Sequence, residues 1–204
     1  LFFAGGDILL VIFAFTLGHV FLVLGAYVSY SPYAHIGAER ELIQLMAVEP
    51  MIIIAAIGLY QVNGSFLVGE MAINPGLPIL LLPGVFLGFI FILTFKLRKS
   101  PFDLATSHHA HQELVKGSTT EFSGWTLAMV ELAHIYELVV MLGFIWLFFG
   151  DHLWLCVIAI AAIMFLEILV DNCTSRIKWQ DALISAWFVT LVAGAGNIFA
   201  LSIM

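Results

Sequence analysis

Three acids and one histidine occupy positions where a lipid bilayer makes ionisable groups expensive. Glu49 lies inside the apolar run ELIQLMAVEPMIIIAAIGLY, directly before Pro50, and Glu131, His134 and Glu137 follow at intervals of three within TLAMVELAHIYELVVMLGF. A charged side chain at the centre of a membrane helix costs about 2.5–3.5 kcal/mol on insertion scales, so such residues mark ion or proton routes by default. Positions three apart on an α-helix stand about 60° from one another. The two carboxyls and the imidazole therefore share one polar arc instead of ringing the helix. Carboxyls brought together in a low dielectric exchange protons nearer neutrality than in water, and imidazole does so unaided. The chemistry on offer is a proton relay; the other reading of the arc is a polar seam that only joins helices. Pro50 withholds one backbone hydrogen bond and bends its helix. The carbonyl it frees needs water or a side chain, which favours a proton-transfer role for Glu49.

Further candidates surround these. Segment 97–121 is polar and carries Asp103, Glu113 and Glu121 with His108, His109 and His111. His108 and His111 would share a helix face near Glu113. No fourth ligand follows at a recognised spacing and no His-Glu-x-x-His signature occurs, so the histidines read as a partner-facing surface and not as a metal site. Ser107 can cap a short helix that Gly117 ends. Ser118-Thr119-Thr120-Glu121 fits a capping box before the next apolar run, giving Glu121 a structural alternative to proton transfer. Arg40 and Gln44, four apart, share a face and read as polar support. His19, near the middle of the first apolar run, is either a bundle hydrogen-bonding group or a transfer group. Glu167 lies one turn deeper than Asp171, which reads as an interfacial partner of Arg176 and Lys178, and Glu167 joins the relay candidates.

The elements that must position these residues follow from composition. Of 204 residues, 62% are hydrophobic and 10% are charged, with mean hydropathy +1.08. Soluble domains carry about 25% charged residues, so the chain is an integral membrane protein. A span needs about 20 mostly apolar residues. Six runs qualify, approximately 2–29, 42–62, 77–96, 125–149, 152–171 and 180–203. No barrel-type alternation appears. The fold class is an all-α membrane bundle, one domain over 1–204, with 97–121 as a loop bearing a short helix. The seven basic residues all fall after runs one, three and five, which predicts cytoplasmic basic loops in a multi-pass plasma-membrane protein. Seven Lys and Arg against fourteen acids exclude a nucleic-acid partner; lipid is the surrounding partner. Cys156 and Cys173 form neither a disulfide framework nor a metal spacing. The first residue is Leu and no signal peptide is visible, so the polypeptide is expected to begin upstream.

Ordered motifs narrow the reading. Arg40-x-x-x-Gln44-x-x-x-x-Glu49, Pro101-Phe102-Asp103-Leu104, Glu113-Leu114-Val115 and Glu121-Phe122-Ser123-Gly124 occur in this succession. They resemble the membrane subunit of complex I that walls the quinone chamber and joins the hydrophilic arm to the pumping arm. The six runs are similar to the last six helices of that eight-helix family fold. Two departures, the histidine-rich ATSHHAHQELV and His134 in place of a glutamate, look like the branch found in energy-converting membrane-bound [NiFe] hydrogenases.

The resemblance implies a membrane anchor and proton-coupling subunit of a ferredoxin-dependent, hydrogen-evolving, ion-translocating complex. It implies no cofactor in this chain, with the [NiFe] centre and iron–sulfur clusters in partner subunits. Those partners are the hydrogenase large and small subunits, an iron–sulfur subunit and antiporter-like membrane subunits. Glu49, Asp103, Glu113 and Glu121 match family carboxylates, while Arg40 and Gln44 match its polar support. Pro101, Phe102, Asp103, His108, His109 and His111 are then the partner interface. The alternatives are a quinone-chamber subunit of a complex I-like dehydrogenase, a sulfur-reducing relative, and, from another class, a stand-alone ion transporter. The internal repeats common in transporters are not visible.

Overall fold

A computed structural model describes residues 5–98, 100–102, 117–175 and 177–203. Helix α1 (Ile8–Val28) begins at Asp7, whose Oδ1 accepts from the Leu9 amide at 2.8 Å and so satisfies one of the donors left open at a helix start. Helix α2 (Pro32–Asn63) starts with proline at its first position, where the missing N–H costs nothing. It runs through Pro50 and ends at Gly64 in the left-handed conformation. The expected run began at residue 42. The structure adds the ten residues from Pro32 to Glu41 to the same helix, which places the SYSPYAHIG segment largely on α2 instead of in a loop.

After α3 (Val68–Ile73), the third apolar run divides into α4 (Pro78–Leu81) and α5 (Pro83–Lys96). Pro83 causes the break, because the residue before a proline is pushed out of the helical region; Leu82 has φ −119° and ψ 43°. The 14 residues of α5 rise about 21 Å, short of the ~30 Å hydrocarbon core. A 3₁₀ turn (Gly117–Thr119) precedes α6 (Gly124–Leu147). Then come α7 (Leu153–Cys173) and a last run that is α-helical over α8 (Trp179–Val189), π-helical over Thr190–Ala195 and α-helical again over α9 (Gly196–Ile203). Five of these are long and apolar enough to cross a bilayer: α1, α2, α6, α7 and the run Trp179–Ile203. All the named elements among the described residues are helical.

The capping box expected at Ser118–Glu121 does not start α6. Ser118 is buried in the 3₁₀ turn, Glu121 is exposed, and the helix begins at Gly124 with Ser123 in the capping position.

Helix α2 is the centre of the bundle. It packs against α1, α5, α8 and the 3₁₀ turn, through small residues such as Ala47, Ala55, Ala56 and Gly58 that let neighbours approach closely. Around it the core fills with Met51, Leu59, Val85, Phe89, Phe144 and Phe148. On its outer side, α7 packs chiefly on α6 and buries little beyond Cys156, Ile163 and Glu167.

Candidate functional site: a buried charge cluster

Two cations at the end of α5 organise the site. Lys96 is the last residue of α5, and its Nζ lies 2.6 Å from Oε1 of Glu137 on α6. Arg98, two residues on, has φ +53° and sets its guanidinium 2.5 Å from Oε1 of Glu41 on α2. Side-chain exposures of 8% and 6% for the first pair, and 12% and 4% for the second, take both out of the class of surface pairs that add little. Desolvation of such charges is tolerable only with close pairing and further hydrogen bonds. A cation at a helix C-terminus also complements the helix dipole.

His19 on α1 completes the group. Its Nδ1 lies 3.0 Å from the Phe15 carbonyl and its Nε2 lies 3.4 Å from Oε2 of Glu137. Both ring nitrogens face oxygens. The tautomer decides which of the two nitrogens donates. His19, Glu41, Gln44, Lys96, Arg98 and Glu137 share the wall of a cavity of about 20 Å³, room for one water molecule. Oε2 of Glu41 is buried and finds no protein donor among the described residues.

The expected residues divide into three groups. Glu49 is half-buried and lines a second small cavity together with Lys96, Val140 and Phe144, so the two cavities share the lysine. His134 is half-buried on a groove of about 610 Å³ between α1 and α6 that His19 and Glu137 also line. Gln44 is buried and donates from Nε2 to the Phe102 carbonyl at 2.9 Å. The Phe102 ring stacks on Phe95 with centroids 3.8 Å apart, and Pro101 accepts from the Ile177 amide at 3.1 Å.

Other candidates stand apart. Glu167 is 1% exposed on α7 and receives a 3.4 Å hydrogen bond from Thr94 of α5; its Oε2 has no donor among the described residues. Glu131, Glu121 and Arg40 are exposed. Glu131 stands about 120° from Glu137 around α6, so the arc that turns Glu137 inward turns Glu131 outward. Asp103, His108, His109, His111 and Glu113 lie outside the described residues.

Three members of the cluster are absent from the sequence expectations: Glu41, Lys96 and Arg98. In the residue order Lys96 and Arg98 read as loop cations and Glu41 as an acid near a helix start. A signal existed for Glu41, because it is three residues before Gln44 and seven before Val48, on one face of α2. Nothing in the order of residues shows that the two cations turn back into the bundle.

Chemically, two cations face three carboxylates once Glu49 is counted. The imidazole beside them is a group able to carry a further proton.

The sequence profile of the family described as NADH dehydrogenase matches residues 2–202. The chain is similar to "Hydrogenase-4 component C" of Escherichia coli (strain K12), with 33% identity over 144 residues that cover 69% of this chain and 44% of that protein. It is similar to an NADH-quinone oxidoreductase subunit of Thermomicrobium roseum, with 25% identity over 198 residues covering 87% of this chain and 57% of that protein. The chain thus spans about half the length of these relatives. A chain in the structure of the membrane-bound sulfane sulfur reductase, an archaeal respiratory membrane complex, superposes with a TM-score of 0.79 at 25% identity, over 97% of this chain and 70% of that one. With a profile match over nearly its whole length and a helical membrane fold shared with a respiratory complex, this chain belongs to the NADH dehydrogenase family.

Proposed function

We propose that this chain is the membrane anchor and proton-coupling subunit of a ferredoxin-dependent, hydrogen-evolving, ion-translocating [NiFe] hydrogenase complex. The observation that carries the reading is the cluster of Glu41, Glu137, Lys96, Arg98 and His19, a set of charges that a passive anchor has no use for. The similarity to a hydrogenase-4 component and the histidine-rich 97–121 segment support the hydrogenase branch. In this reading the [NiFe] centre and iron–sulfur clusters sit in partner subunits. Large, small and iron–sulfur subunits dock over the 97–121 segment, and antiporter-like membrane subunits lie alongside. The chain sits in the plasma membrane with its basic loops cytoplasmic, so the Lys96–Arg98 end of the bundle faces the docked arm. Redox events there change the charge or position of the docked segment, and the cluster answers by taking up or releasing a proton, with Glu49 and His134 as next members of the route.

A second reading, a sulfur-reducing subunit of the same architecture, is favoured by the structural likeness to the sulfane sulfur reductase. Purified complex separates the two. Hydrogen evolution from reduced ferredoxin with a nickel-bearing subunit supports the first, while turnover of a sulfur or quinone acceptor without nickel rejects it. Within the active complex, Glu137→Gln is expected to keep most hydrogen evolution and lose at least tenfold of the ions moved per electron in proteoliposomes. Retained coupling would reduce the cluster to a structural device. Ion flux through liposomes holding this polypeptide alone would instead make it a transporter.

A further inference from the structure

Residues 37, 41 and 44 follow the i, i+4, i+7 spacing that aligns side chains along one face of a helix, spanning about 10 Å. All three are buried on α2. The chain on either side of residues 103–116 rests on this stripe. On one side, Gln44 holds the Phe102 carbonyl, and Phe102 is stacked on Phe95 and edge-on to Phe91. On the other side, the 3₁₀ turn lies so close to Gly37 that a Cβ there would come 2.1 Å from the Ser118 backbone nitrogen. Only glycine fits at that distance.

Glu41 lies between these two contacts and takes Arg98 as its partner. Arg98 adopts φ +53°, a region non-glycine residues occupy only where the surroundings impose it. Those surroundings begin two residues further on. Ser100 donates from its amide to Oδ1 of Asp171 at 2.9 Å and from its hydroxyl to the Thr174 carbonyl at 2.8 Å. The stem that carries Arg98 is thus tied to α7 and its C-cap at Ser100 and to α2 at Phe102.

We propose that the stripe Gly37–Glu41–Gln44 is a seat for the two flanks of residues 103–116, and that Gln44 is a positioning residue that keeps Arg98 opposite Glu41. The seat rests on the proton-coupling function above and specifies how that cluster is held to the segment where a partner docks. Release of the Phe102 flank from α2 removes the cation from Glu41 and changes what the cluster does with its proton.

The test uses the assembled complex in proteoliposomes, with electron transfer and ions moved per electron measured together. Gln44→Met keeps the length of the side chain and removes the donor. It is expected to lower ions per electron about fivefold, the factor carried by one buried hydrogen bond, and to lower electron transfer much less. Combined with Arg98→Met it should add nothing to the loss from Arg98→Met alone, because groups acting through one pair are non-additive. Losses that multiply, or electron transfer and translocation falling in proportion, overturn the seat. Should Gln44→Met fail to assemble, Ser100→Ala, which frees the same stem from the Thr174 carbonyl, must show the same vanishing effect in the Arg98→Met background; failure of both to assemble marks a folding role and also overturns it. If Arg98→Met lowers coupling and Gln44→Met does not, the seat falls and the proton-coupling function stands. If Arg98→Met itself leaves coupling intact, both fall.

Discussion

The two ends of α5 solve the same problem with different chemistry. Each is a helix terminus inside a crowded bundle, with backbone groups that need partners. At the N-terminal end, Oδ1 of Asn197 accepts from the amides of Gly84 and Val85 at 3.1 and 3.2 Å, and its Nδ2 donates to the Leu81 carbonyl at 3.3 Å. One neutral amide bridges the break at Leu82, and Gly84 lets α5 lie against the Ala193 carbonyl, which a Cβ would approach to 2.6 Å. At the C-terminal end, two cations, two carboxylates and a histidine are drawn in around a cavity. Since an asparagine suffices to knit helices together at one end, the charges at the other need a reason beyond packing. The proton coupling proposed above would supply it.

The largest effect that can break this comparison is expected at Lys96. Replacing it with methionine leaves Glu137 buried without its cation, and removal of one member of a buried pair costs about 3–5 kcal/mol. Lys96→Met should therefore unfold the detergent-solubilised chain at markedly lower temperature. Lys96→Met with Glu137→Gln, which removes both charges, should recover most of that stability while ions moved per electron stay low. Full recovery of coupling in the double variant would show that the charges serve only structure, and the two ends of α5 would then differ in style alone.

An intermediate effect is expected at the neutral end. Asn197→Ala leaves the amides of Gly84 and Val85 unpaired in a tight contact, and a buried unsatisfied group costs about 1–3 kcal/mol. The loss should appear in thermal stability with ions per electron changed less than twofold. A coupling defect larger than the stability defect would extend the functional region to both ends of the helix, and the π-helical stretch at Thr190–Ala195 beside it would become the element to examine.

Much of the fold is legible in the residue order. Long apolar runs give five of the spanning helices, whereas the break of the third run at Pro83 and the start of α2 at Pro32 depart from the expected bounds. The inward acids Glu49 and Glu137 are visible as ionisable residues in apolar company. What the order of residues hides is direction. Glu41 looks like an acid of a first helical turn as long as α2 is taken to start near residue 42; a start at Pro32 moves it inside the bundle. Lys96 and Arg98 look like loop cations because hydropathy falls there. Their pairing depends on which helices neighbour α5, and that is a tertiary fact. Periodicity fixes the angles among Glu131, His134 and Glu137, yet it cannot say which of the three faces in.

The smallest effect is expected at Glu131, and the reason lies in its depth as well as its direction. It sits seven residues into α6 from Gly124, about 10 Å along the helix, on an exposed face it shares with Leu132 and Ile135. A carboxylate that near a helix end can reach the polar interface of a hydrocarbon core about 30 Å thick, which spares it the cost borne at mid-membrane. It has no need of the cation that Glu137 holds. Glu131→Gln should shift stability by less than about 0.5 kcal/mol, as exposed substitutions do, and change ions per electron by less than twofold. A severalfold loss in the assembled complex would place Glu131 on the proton route through a contact with a neighbouring subunit. The charge cluster would then continue along α6 toward the 3₁₀ turn at Gly117–Thr119 instead of ending at the α1–α6 groove.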